Sequence, residues 1–183
     1  MSRTLYDNYK EIAKKHKGIC KLRKTALGIG GMNTWRIFDI NIPYRKGEIN
    51  FLISEASPTK ISYSFNIDLH LEFLIYREDW MDKIGKIFGL KEYEIGIKEF
   101  DEKFIIQGSN KRFILSIFDK QIREFILTNS SFSNLKLEQK VNKSELVLNA
   151  PFNESNFNKL EKTIEIMKRI SDNIYNYHKN NNR

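Results

Sequence analysis

Ile61-Ser62-Tyr63-Ser64-Phe65-Asn66-Ile67-Asp68-Leu69-His70-Leu71-Glu72-Phe73-Leu74-Ile75 places an apolar residue at every odd-numbered position. The even positions carry Ser62, Ser64, Asn66, Asp68, His70 and Glu72, with Leu74 the one exception. Side chains of a β-strand alternate between faces, so this pattern predicts β-structure buried on one side. Fifteen residues exceed an ordinary strand, and a bend or bulge is expected near Asn66 to Asp68.

The same period extends upstream. Trp35, Ile37 and Asp39 alternate with Arg36, Phe38, Ile40 and Ile42. Both faces are apolar enough for a central strand. Pro43 to Gly47 reads as a turn. Ile49, Phe51 and Ile53 follow as a strand, closed by Ser57-Pro58-Thr59. Downstream, Tyr93, Ile95 and Ile97 predict another strand, Phe104-Ile105-Ile106 a further one, and Leu135/Leu137 and Leu146-Val147-Leu148 two more.

Helical spacing appears at both ends. Leu5, Tyr9, Ile12 and His16 predict a first helix, about 5–17, with Thr4 as its cap and Gly18 as its stop. Leu160, Ile164, Met167, Ser171 and Ile174 form a heptad in the last helix, broadened by Ile170 and Tyr177. Asn153 is a candidate N-cap there, with Phe152 and Phe157 as a hydrophobic staple. Two helices are expected between. Asp79 would cap one carrying Trp80, Ile84, Ile87 and Phe88, and Gly89 would close it. Ser116 and Asp119 have capping-box spacing before the other, whose face is Phe118, Ile122, Phe125 and Ile126. Strands come in runs rather than in β-α-β alternation. The expected fold class is therefore α+β: a mostly antiparallel sheet packed by N-terminal and C-terminal helices, in one domain over residues 1–183.

Composition bounds the rest. The chain has 183 residues, 40% hydrophobic and 13% aromatic, which is core-forming rather than disordered composition. One cysteine, Cys20, excludes an intramolecular disulfide and a cysteine zinc cluster. The N-terminus shows no apolar segment of a secretory signal, and no run reaches about 18 apolar residues, so no transmembrane segment and a cytoplasmic location are expected.

The formal charge is +8. Residues 1–24 carry eight Lys/Arg against Asp7 and Glu11, a net of +6. Residues 159–183 contribute +3, leaving the middle at −1. The stretch Tyr9 to Lys24, read as helical, interleaves Lys10, Lys14, Lys15, Lys17, Lys21, Arg23 and Lys24. These seven are the candidate nucleic-acid contacts, because phosphates reward clustered cations. Stacking would fall to Tyr63, Tyr76 and Tyr93. Solvated helix faces explain the same charges without a ligand.

Other chemistries find little support. Gly28-Ile29-Gly30-Gly31 precedes a strand, so it reads as a hairpin turn rather than a phosphate loop at a helix start. Asp68, His70 and Glu72 share the polar face of one predicted strand, which invites a metal reading but equally describes a solvated face. Asp101 and Glu102 form an acidic pair at the corner before Phe104. On a strand, adjacent residues point apart and would not act together as acid and base; a turn could change this, and loop solvation or helix-like capping is the expected role. His16 and Lys17 beside Cys20 would lower a thiol pKa, whereas burial would raise it. His16 and His178 both fall in the predicted terminal helices. No Gly-x-Ser-x-Gly, Walker or His-Glu-x-x-His motif occurs. No catalytic residue, no metal ligand and no cofactor are therefore assigned.

Phe100-Asp101-Glu102-Lys103-Phe104-Ile105-Ile106, followed by Phe113-Ile114-Leu115-Ser116 and Ile122-Arg123, resembles a pattern in bacterial proteins with a domain of unknown function. There a "phenylalanine, acidic pair, phenylalanine" strand precedes a "leucine-serine" capped helix. The resemblance covers about residues 93–127. Many such relatives look membrane-anchored, and it implies no activity. The reading that results is a non-enzymatic interaction module, acting through a protein partner or as a homo-oligomer, with nucleic-acid binding through basic terminal helices as the alternative.

Overall fold

Burial of one face of the sheet under helices organises the chain. The computed structural model describes residues 5–27, 33–54, 57–77, 90–129, 132–150 and 157–181. The Thr4 cap, the Gly28–Gly31 turn, the Asp79 helix and the Asn153 cap with its Phe152 staple lie outside these residues.

The helices are α1 (Leu5–Lys15), α2 (Lys98–Asp101), α3 (Lys111–Ile117), α4 (Lys120–Thr128) and α5 (Phe157–Asn181). The strands are β1 (Ile19–Leu27), β2 (Asn33–Tyr44), β3 (Gly47–Ser54), β4 (Thr59–Phe65), β5 (Phe73–Arg77), β6 (Lys91–Glu92), β7 (Phe104–Gly108), β8 (Asn134–Lys140) and β9 (Lys143–Ala150). Among the described residues they form one antiparallel sheet in the order β1-β2-β3-β4-β9-β8-β5-β7-β6. The α+β expectation is met.

One sheet face carries Phe38, Ile40, Ile42, Ile49, Phe51, Ile61, Tyr63, Phe65, Phe73, Ile75, Leu135, Leu137, Leu146 and Leu148, each at most 1% exposed. Against it pack α1 through Tyr9, Ile12 and Ala13, and α5 through Leu160, Ile164, Met167, Ile170 and Ile174. Leu74, Tyr76 and Val147 are buried on the opposite face, apart from this cluster.

The long alternation of residues 61–75 is two strands rather than one bent strand. β4 pairs with β3 and β9, while β5 pairs with β8 and β7. The β8–β9 hairpin lies between them, so residues 66–72 cross three inter-strand spacings, roughly 14 Å. The break falls at Asn66 to Asp68 as expected, but it is complete. Asp68 accepts the His70 amide (2.9 Å), and His70 takes a left-handed φ of 50°. Leu69 is buried and Leu71 half-buried inside this crossover, which is why the periodicity continues through it.

Three further expectations change. α1 ends at Lys15, and Lys17, not Gly18, adopts the left-handed conformation (φ 58°). Gly18 donates to the Ala13 carbonyl (2.7 Å), and a Cβ there would stand 2.3 Å from the Asn41 carbonyl oxygen. Its glycine serves close backbone approach to β2. Tyr93, Ile95 and Ile97 are not a strand. The amides of Ile95, Gly96 and Ile97 turn to the Asp101 carboxylate at 2.9–3.0 Å instead of to a neighbouring chain. Ser116 caps nothing. It sits inside α3 and donates to the Phe113 carbonyl (2.7 Å), while Asn110 caps α3 and Asp119 caps α4.

Asp119 also joins α4 to α5. It accepts the Gln121 and Ile122 amides, the Arg169 guanidinium (2.5 Å) and the Asn173 amide (3.1 Å). Burial works against its ionisation, but the bonds from Asn173, Arg169 and Ile122 outweigh it and lower its pKa below the ordinary 3.8. A depressed carboxylate stabilises the fold above its unfolded value, and that share is lost as pH falls through the folded value. Asp119→Ala is expected to cost about 1–2 kcal/mol at pH 7 and to flatten the acid limb of stability below about pH 4. Urea unfolding at pH 7 and pH 3 checks it, and parallel curves for both proteins would refute the linkage.

Candidate functional site

Strand alternation places every second residue of β1–β4 on the face away from the helices. Cross-strand register then assembles these residues into rows. One row runs Lys21, Asp39, Leu52, Lys60, Asn149 and Asn134 across β1, β2, β3, β4, β9 and β8. The next runs Ile19, Asn41, Asn50, Ser62 and Val147. Asn41 donates to Asn50 across β2–β3, and Asn149 donates to Asn134 (2.9 Å) across β9–β8. A depression of about 360 Å³ lies over the first strands, lined by Lys21, Asp39, Asn41, Asn50, Leu52 and Lys60. Beside it Arg23 donates to Asp39 (2.5 Å), a bond that raises the guanidinium pKa. Lys60 reaches Glu145 at 4.0 Å. Ile19 (55% exposed) and Leu52 (38%) add apolar area among the cations. The floor of this depression is thus small amides and the Ser62 hydroxyl, with Lys21 and Lys60 at its sides.

The seven basic candidates are not one helical surface. Lys10, Lys14 and Lys15 ride on α1, on the helix side of the sheet. Lys21, Arg23 and Lys24 belong to β1 rather than to a helix, and Lys21 and Arg23 share a face with Asp39 and Ile37, away from α1. Lys15 is bound by Glu161 of α5 (2.8 Å). The two basic termini thus meet partly through opposite charge.

Asp68 and His70 lie 3.3 Å apart in the crossover, with His70 84% exposed, while Glu72 accepts the Gln139 amide (3.3 Å). Among the described residues no group of three His, Cys, Asp or Glu is placed to hold a metal ion. Cys20 is half-buried, and burial, aided by Asp39 and opposed by Lys10, pushes its thiol up to about 11. At neutral pH it is protonated: of the two opposing effects, burial outweighs the basic neighbours His16 and Lys17. His16 meets Lys168 (3.2 Å) and Glu165 (3.8 Å), and burial, reinforced by Lys168, lowers its pKa. Of Tyr63, Tyr76 and Tyr93, the first two are buried and offer no stacking face.

Asp39, Asn41, Asn50 and Lys60 were not flagged by sequence. Each is an ordinary polar position in an alternating strand, and only the register brings them together.

No described helix is long and apolar enough to cross a membrane. The class this fold defines is an α+β domain with one helix-covered and one partly open sheet face. The fold is similar to the crystal structure of the mycobacterial trehalose monomycolate transport factor A, TtfA, with a TM-score of 0.59 at 13% identity, covering 94% of this chain and 96% of that one. No protein-family model and no curated protein matches the sequence.

Proposed function

We propose that this chain is a non-enzymatic protein-interaction module that docks a protein partner on the helix-free face of β1–β4. One observation carries the reading. That face combines exposed cations, Ile19 and Leu52 around a polar depression, whereas Asp101 and Asp119 are committed to structural bonds. Interfaces draw energy from apolar and Arg anchors inside a polar rim.

A photo-crosslinking residue at Leu52, in the host cell, is expected to give a discrete protein adduct. The same residue at Lys162, on the exposed side of α5, is expected to give none. A self-adduct from Leu52 identifies the homo-oligomeric form of the module. Adducts from Lys162 alone, nucleic-acid adducts from Leu52, or none from either would overturn the reading.

A further inference from the structure

β1 ends the sheet order, so one of its long edges carries no strand among the described residues. Every second amide and carbonyl of such a strand points off its ladder, a template for another chain. Between Ile12 and Phe38 the sequence holds seven Lys/Arg (Lys14, Lys15, Lys17, Lys21, Arg23, Lys24 and Arg36) and no Asp or Glu. Three of them, Lys21, Arg23 and Lys24, lie in β1 itself, while Asp39 of β2 stands opposite Lys21 and pairs with Arg23. α1 adds Lys10, close enough to act on the Cys20 thiol, and Tyr6, whose hydroxyl donates to the Cys20 carbonyl (3.4 Å). Arg23 is 58% exposed and oriented by Asp39 through its Nε.

We propose that β1 is the docking edge for an acidic extended segment of a partner protein, which adds to the sheet as a further strand. The inference rests on the interaction-module reading and names its partner. Residues opposite one another in paired strands share a face. An incoming chain would thus set one residue beside Lys21, the next beside half-buried Leu22, and the next beside Arg23. The fitting triplet is acidic, apolar, acidic. Backbone bonds supply the affinity and the charges select the partner and speed its approach. A second copy of β1 does not fit. Two-fold pairing centred on Leu22 sets Lys21 against Arg23 of the other copy, and centring on Arg23 sets Arg23 on itself, both like-charge oppositions. Lysines on an edge deter indiscriminate pairing, and an acidic strand turns that deterrent into selection.

Three synthetic peptides on the full chain test it: alternating Glu-Val, alternating Lys-Val, and the Glu-Val peptide N-methylated on every second amide. The Glu-Val peptide is expected to bind saturably, to slow hydrogen exchange of alternate β1 amides, and to weaken as salt rises. The other two are expected to bind at least tenfold less tightly. K21E/R23E is expected to lose at least tenfold in affinity, and Lys162→Glu none. The peptide arms leave the protein unaltered, so they decide the matter even if the double variant folds poorly. Equal binding of the N-methylated or Lys-Val peptide, protection on α5 instead of β1, dimerisation through β1, or displacement of the peptide by duplex DNA would each overturn the proposal. If these occur while Leu52 still crosslinks a protein, the edge assignment alone fails. Loss of the Leu52 adduct removes the module reading itself.

Discussion

Asp101→Ala is expected to lower stability by about 2–4 kcal/mol, because one carboxylate holds three consecutive amides. Ile95 donates to one oxygen (3.0 Å), and Gly96 and Ile97 to the other (2.9 Å each). Bonds to a charged acceptor contribute about 1.5–3 kcal/mol each, and a buried amide left alone costs about 1–3 kcal/mol. Gly96 is exposed and water can replace its bond, while Ile95 and Ile97 are half-buried against the core, which sets the total below three full bonds. The carboxylate also fixes the chain direction into α2 and thence β7, with Gly96 at a φ of 80°. Asp101→Asn keeps the shape but offers one oxygen and turns an NH2 toward amide donors, so it is expected to fall between alanine and the parent. Urea unfolding measures both. A loss under about 0.5 kcal/mol for alanine would mean that the three amides are solvated without it.

That loop marks where sequence reasoning stops. Tyr93, Ile95 and Ile97 alternate because alternate side chains reach the core, and burial is all that the period records. It does not say whether the amides between them meet a strand or a carboxylate. Residues 61–75 repeat the lesson: Leu69 is buried in the crossover, so the alternation continues where the pairing has changed from β3 and β9 to β8 and β7. By contrast, Ile49, Phe51 and Ile53 in β3, and Leu160, Ile164 and Met167 in α5, were legible because one flat surface buries each set. The β1 cations were misplaced for a related reason. Cys20 and Leu22 do alternate with Lys21 and Arg23, but Ile19 and Lys24 break the period at either end, and two apolar residues are too few to announce a strand. The polar row through Asp39, Leu52 and Lys60 was invisible in principle, since each member is local and only register, a property of the whole sheet, aligns them.

Tyr63→Ala is expected to cost about 3–5 kcal/mol, the range for removing a buried aromatic ring. Tyr63 is fully buried on β4, and its ring lies 4.9 Å from Phe65, 6.3 Å from Tyr44 and 6.4 Å from Tyr175. Its hydroxyl is 3.3 Å from that of Tyr175 and 3.4 Å from the Tyr44 carbonyl. Around it Tyr44 and Arg45 both donate to Asp172 of α5 (2.7 and 2.6 Å), so the knot fastens α5 to the β2–β3 hairpin. Neighbouring Ser62 points into the candidate site from the same strand, and loosening Tyr63 therefore loosens the floor of that site. Tyr63→Phe separates ring from hydroxyl, and should cost only about 0.5–1.5 kcal/mol. Burial, reinforced by the bond to Tyr175, raises the Tyr63 pKa. The unfolded phenol thus releases its proton first, so its share of stability is present below about pH 10 and declines as pH rises beyond it. The parent should lose stability between pH 9 and pH 11 more steeply than Tyr63→Phe, a difference that denaturant unfolding at the two pH values resolves. Equal slopes would show that Tyr44, whose pKa burial and Asp172 also raise, carries the alkaline sensitivity instead.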